Sequence, residues 1–200
     1  MSTACGNGHV MINRYICLDC ETGGIGLDKS LLTVYFEVLD EKFNSIGSLD
    51  LKIKHDVYNV TAEALSINNI NLVEHHAIAE YKATAGKKLL DLIKKYSQNG
   101  SVKLIPVGHG VSFDLQFIWE YLLGRKTFEA YCAYRKLDTA VIAQFLKAQG
   151  KLPESVSGSL ESLVEYYAID VPFDNVNEKA HEAKWDTRAT IAVLKAQLET

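Results

Sequence analysis

Between Tyr15 and Cys20 the chain runs Tyr-Ile-Cys-Leu-Asp-Cys, a short apolar stretch that predicts a buried strand, broken by Gly23, Gly24 and Gly26. Leu31 to Leu39 and Ser48 to Lys54 predict two more strands, joined through a polar turn from Asp40 to Gly47. In the second of these, Leu49, Leu51 and Ile53 alternate with Asp50, Lys52 and Lys54, the pattern of one covered and one wet face. Helical spacing follows. Thr61 is a candidate cap for Ala62 to Leu65, and a helical pattern runs from about Asn71 to Tyr96 until Asn99-Gly100 stops it. Val102 to Val107 is a fourth strand and Val111 to Leu123 a helix ended near Gly124. Tyr134 to Leu137 is a short fifth strand before a helix from Asp138 to Ala148. Ser159 to Tyr167 and His181 to Leu198 are the last helices, with Trp185 and Tyr167 in the core and Lys184 and Arg188 on a solvated face. Strands come first and helices then alternate with them. The expected class is α/β, a mixed central five-stranded sheet flanked by helices.

Size and composition narrow this little. The 200 residues, 48% hydrophobic and 23% charged, suit one domain, expected over 14–200 with a short N-terminal extension at 1–13. No apolar run approaches the roughly 18 to 20 residues of a membrane span, and Met1 to Asn13 lacks the apolar stretch of a signal peptide. No membrane association and a cytoplasmic location are expected. Twenty-one basic against 25 acidic residues leave a net charge of −4, which argues against a surface that wraps duplex nucleic acid. Cys5, Cys17, Cys20 and Cys132 are read as reduced thiols. Cys17 and Cys20, three apart on a strand, point to opposite faces and do not make a metal pair.

The chemistry lies in the acids. Asp19 and Glu21 are two apart on an apolar strand, so their side chains leave the same face with Cα atoms roughly 6.5 to 7 Å apart. Burying carboxylates at that spacing without partners is costly, and a divalent cation is the usual remedy. Asp114 opens a helix after Gly108-His109-Gly110-Val111-Ser112-Phe113, a favourable place for an acid at a helix N-terminus. Asp186 lies on the last helix, five residues after His181. Four carboxylates suit hard cations, and a histidine beside them suits a general base.

These segments together resemble the DEDDh, DnaQ-like 3′–5′ exonucleases of the ribonuclease H-like superfamily. The first motif, Asp-x-Glu-Thr, matches at Asp19, Glu21 and Thr22, the second at His109 through Asp114, and the third at His181 and Asp186. Ala64-Leu65-Ser66-Ile67-Asn68-Asn69-Ile70, Leu137-Asp138-Thr139 and Ser159-Leu160 with Leu163 resemble the intervening family segments in the same order. Two positions depart: Gly23 stands where the family often has a second Thr, and Gly110 where it often has Asn after the motif-two histidine.

The resemblance implies a ribonuclease H-like fold and two Mg²⁺ or Mn²⁺ ions held by Asp19, Glu21, Asp114 and Asp186, with His181 as base. It implies hydrolysis of the last phosphodiester of a single-stranded 3′ end to a nucleoside 5′-monophosphate. Thr22 and Gly23 are expected near the terminal nucleotide, with Ile25 and Phe113 against its base. DNA and RNA both remain open as substrates. A proofreading subunit beside a polymerase and an RNA-trimming exoribonuclease are the alternatives, and a homodimer stays open. A binding module that has lost catalysis would lack one or more of the acids, and all are present.

Overall fold

The computed structural model describes residues 13–171 and 182–200. Three antiparallel strands open the fold: β1 (Arg14–Thr22), β2 (Leu31–Leu39) and β3 (Ser45–Lys54). Then come α1 (Ala62–Asn68), α2 (Leu72–Ile78), β4 (Glu80–Tyr81) and α3 (Lys82–Tyr96). β5 (Leu104–Gly108) leads into α4 (Val111–Tyr121) and α5 (Arg125–Glu129). β6 (Leu137–Asp138), α6 (Thr139–Ala148), α7 (Leu160–Tyr166) and α8 (Ala183–Glu199) complete it.

The strands form one mixed sheet in the order β4-β3-β2-β1-β5-β6. β1, β2 and β3 pair antiparallel, whereas β5 on β1, β6 on β5 and β4 on β3 are parallel. Among the described residues the sheet therefore has six strands, not the expected five. The extra one is β4, a two-residue pairing of Glu80 and Tyr81 with Ile53 and Lys54. It divides the helical stretch expected from Asn71 to Tyr96, because Ala79 turns extended after α2. A pairing of two residues leaves no periodicity to read.

Alternation along the central strands builds two cores. Ile16, Leu18 and Cys20 of β1, with Val34, Phe36 and Val38 of β2, pack under α3 and α4 through Leu89, Ile93, Leu115 and Ile118. On the opposite face, Cys17 of β1, Leu39 of β2 and Val107 of β5 meet Ile191 and Leu194 of α8. Trp185, Ala189 and Val193 on the far side of α8 close a third cluster with α6 and α7. α8 is thus buried on two sides, and its first turn lies against the sheet face that carries the acids. Arg188 is not on a solvated face as expected: its Nε lies 3.9 Å from Glu37 Oε2, and both side chains are largely buried. Among the described residues no helix is long and apolar enough to cross a membrane.

Candidate active site

The site forms where two strand pairings part. β1 and β5 pair only from Arg14–Leu104 to Cys17–Val107. β1 and β2 continue to Thr22, with a register shift between Glu21 and Thr22. The end of β1 beyond Cys17 is therefore free on its β5 side. Asp19 and Glu21 leave it on the α8 face, as the period of two requires. Asp186, in the first turn of α8, faces them. One carboxylate oxygen from each of Asp19, Glu21 and Asp186 lies within 4.8 Å of the other two.

Asp114 comes from the diverging β5 side, in the first turn of α4. It is only 4% exposed, and its Oδ1 accepts the backbone N–H of Cys20 at 3.1 Å. That N–H belongs to the part of β1 that β5 no longer reaches, so a side chain satisfies what the sheet leaves open. One oxygen of Asp114 is thereby fixed on β1 between Asp19 and Glu21.

Crowded, half-buried acids resist ionisation. Burial raises Asp19 well above the usual carboxylate range, reinforced by the charges of Asp114, Asp186 and Glu21. Glu21 is pushed up to about 8 by burial and by Asp186, Asp114 and Glu182. Asp114 is pushed up to about 7 by burial, offset in part by the Cys20 N–H. A divalent cation among these oxygens removes that penalty, and an all-oxygen donor set is the one hard ions take. The residues present therefore fit a divalent ion.

The remaining expected residues divide by place. His181 lies outside the described residues. Ile25 is 93% exposed in the loop after β1, and Phe113, 37% exposed, packs its ring 5.0 Å from that of Phe117 at the start of α4. Thr22 donates its hydroxyl to the Gly24 carbonyl, and its own carbonyl accepts from Asn68 Nδ2. Gly23 donates its N–H to Ser30 and accepts from Thr61 N, which ties the loop to residues 30 and 61. A Cβ at Gly23 would overlap the Asn59 carbonyl, so the Thr common in the family at this position has no room. Beside Glu21 a groove of about 470 Å³ is lined by Lys52, Asn68, Ile70, Glu182 and Lys184.

Two residues of the matched segments take structural roles. Gly110, the residue before α4, has φ 75°, in the left-handed region. Asn and Gly are the residues that adopt it most readily, which accounts for the interchange with the family's Asn. Its N–H donates to Asp138 Oδ1 at 2.9 Å, while the preceding His109 places Nδ1 2.9 Å from the Thr139 hydroxyl. An Asp directly before a helical run is a cap signal, and it could have pointed to Asp138 as a bonding centre.

No protein-family model and no curated protein matches the chain. Solved structures do. E. coli exonuclease I in complex with a dT13 oligonucleotide is 21% identical, with TM-score 0.69 over 93% of this chain and 40% of that one. The zinc-ion-bound form of an E. coli ExoI–ssDNA complex is 23% identical, with TM-score 0.70 over 92% of this chain and 40% of that one. A product-bound structure of exonuclease I is 21% identical, with TM-score 0.66 over 92% of this chain and 42% of that one. The chain spans about two fifths of the length of these structures. The likeness establishes the fold: a mixed sheet flanked by helices is the architecture this chain shares with exonuclease I.

Proposed function

We propose that this chain is a divalent-metal-dependent 3′–5′ exonuclease that trims single-stranded DNA ends to nucleoside 5′-monophosphates. The observation that carries this is the convergence of Asp19, Glu21 and Asp186 within 4.8 Å, with Asp114 fixed beside them on the Cys20 N–H. The fold supports it, since the structures it resembles are those of an exonuclease seen with single-stranded oligonucleotides and with a zinc ion.

In this mechanism Asp19, Glu21, Asp114 and Asp186 would hold two Mg²⁺ or Mn²⁺ ions. Such ions would lower the pKa of the attacking water and neutralise charge on the scissile phosphate and the departing 3′ oxygen. The protein's own residues do the rest. His181, five positions before Asp186, takes the proton from the attacking water at a ring nitrogen. Ile25 and Phe113 offer apolar surface to the terminal bases without reading their identity. The loop from Thr22 to Gly24, held by Ser30, Thr61 and Asn68, sets the distance between the terminal sugar and Glu21.

The test uses DNA and RNA oligomers of one sequence, 5′-labelled, with Mg²⁺, Mn²⁺ or excess EDTA. A ladder shortening from the 3′ end, dependent on metal and faster on DNA, is expected. Early release of the 5′ label as a mononucleotide, or full activity in EDTA, overturns the proposal. A faster ladder on RNA moves the substrate to RNA. His181→Ala should lower kcat by roughly 10²- to 10⁴-fold while Mn²⁺ binding by calorimetry is retained. A folded variant with wild-type kcat removes His181 from the base role.

A further inference from the structure

We infer that Asp138 is a positioning residue for Asp114, acting through the start of α4. Its Oδ1 accepts two backbone N–H groups at once, from Ala140 in the first turn of α6 at 3.1 Å and from Gly110 at 2.9 Å. The first bond caps its own helix. The second reaches a different one, because Gly110 immediately precedes α4 and has no side chain with which to cap it. One carboxylate oxygen thus ties the β6–α6 turn to the β5–α4 turn.

The consequence falls on Asp114. That residue is four positions beyond Gly110, in the first turn of α4, and reaches Cys20 N with one oxygen at 3.1 Å. β5 pairs with β1 only as far as Cys17, so it does not itself hold the Cys20 end of that strand, although its last residue, Gly108, pairs with Asp138 of β6. The placement of the Asp114 carboxylate therefore depends on where α4 begins, and beyond that backbone pairing the Asp138 carboxylate fixes the point through Gly110. A second link runs in parallel: His109 Nδ1 meets the Thr139 hydroxyl, and Gln197 of α8 donates to the Thr139 carbonyl at 2.9 Å. Through residues 138 and 139, the helices bearing Asp114 and Asp186 are tied to one turn.

For catalysis this inference rests on the exonuclease proposal; for geometry it stands apart from it. The experiment uses the full chain with Asp138→Ala, Asp138→Ser and Asp138→Asn. Serine keeps a hydroxyl for the α6 cap but is too short to bridge to Gly110. Asparagine keeps an acceptor oxygen at the same reach and removes only the charge. Two quantities are read: kcat and KM on a single-stranded oligomer with Mn²⁺, and exchange protection of the Cys20 amide in the metal-free protein. Asp138→Ala and Asp138→Ser should lower kcat about tenfold to a hundredfold with little change in KM, the scale of a reacting group displaced by about 1 Å. Both should lose Cys20 protection, and Asp138→Asn should restore both quantities. Asp138→Ser with wild-type kcat and protected Cys20, or Asp138→Asn as impaired as alanine, overturns the inference. If Asp138→Ala fails to fold, the serine variant, with α6 still capped, carries the test. If the wild-type chain cleaves no oligomer, the exonuclease proposal fails, and Cys20 protection alone then supports or overturns the positioning role.

Discussion

Cys17 and Cys20 flank Asp19 on β1 and face opposite cores, as their spacing implies. Cys17 lies among Leu39, Val107, Ile191 and Leu194, and Cys20 among Ile16, Leu18 and Leu115. Burial holds both thiols in the protonated form, which separates them from metal chemistry. Cys17→Ser should keep the proposed nuclease activity but cost about 1 to 3 kcal/mol in urea unfolding, because a shorter hydroxyl enters a mostly apolar site in which the Thr187 carbonyl lies 3.7 Å from the native Sγ. Loss of cleavage in a folded Cys17→Ser protein would contradict the site drawn here. The acids carry a pH prediction of their own. Glu21 titrates near 8 in the folded protein against an ordinary carboxylate value when unfolded, so the folded state binds more protons between those limits. Metal-free stability should therefore be greatest below the unfolded value and fall as pH rises towards 8. His75 and His109, held low by burial, act in the opposite sense up to about pH 6.5. The buried thiols add to the fall above about pH 8, as unfolded cysteines ionise there. The informative window is thus pH 7 to 8, and the comparison is with Glu21→Gln. Urea unfolding in EDTA should show a steeper decline for the wild type across that unit, flattened by saturating Mn²⁺. Parallel profiles for the two proteins would show that Glu21 is ionised already at pH 7.

At the scale of elements, the turn between β5 and α4 yields a sharper test than any helix. A Cβ at Gly110 would meet open space, so substitution there is governed by the left-handed backbone alone. Gly110→Ala should cost roughly 1 to 2 kcal/mol, whereas Gly110→Asn should cost distinctly less. Equal losses in denaturant unfolding would show that the turn relaxes away from φ 75°. The same turn marks where sequence stops being a guide. β2 was legible to the residue, because Leu31 to Leu39, apolar but for Thr33 and Glu37, is rich in β-branched and aromatic residues and lies between polar turns. β3 was legible in its facing pattern, with Leu51 and Ile53 buried, but it begins at Ser45, three residues early, inside what reads as turn. α5 was invisible, since a five-residue helix shows barely one turn of periodicity. In the site, Asp19 and Glu21 could be placed from strand spacing alone. Asp114 and Asp186 needed the order of the motifs, because an acid in the first turn of a helix is commonplace. The Cys20–Asp114 and Gly110–Asp138 bonds depend on where β5 leaves β1, which no local pattern encodes.

Across the whole molecule, charge and site pull in different directions, and that sets how substrate is held. The chain carries −4 overall, and the proposed site concentrates four carboxylates, so its bare surface repels phosphate. Lys52 and Lys184 line the groove beside Glu21, but other lysines gather elsewhere, as Lys87, Lys88, Lys94 and Lys95 do on α3, which packs on the opposite face of the sheet from Asp19 and Glu21. Among the described residues little more is left to neutralise a long run of backbone phosphates, and grip on a single strand should come from bound cations at the last phosphate, from those two lysines and from apolar surface such as Ile25 and Phe113. Counterion release then predicts a shallow salt dependence. If about two phosphates are neutralised by side chains, log K for a single strand should fall against log[salt] with a slope of about −1.4. Binding of a fluorescent oligomer to Asp19→Asn, measured with Ca²⁺ between low and physiological salt, gives the slope without cleavage. Blunt duplex of the same length should bind and be degraded less well, because neither end nor surface compensates for the lost cation contacts. A slope steeper than about −4, or duplex bound as tightly as single strand, would require a basic tract engaged along the strand and would replace this end-holding account.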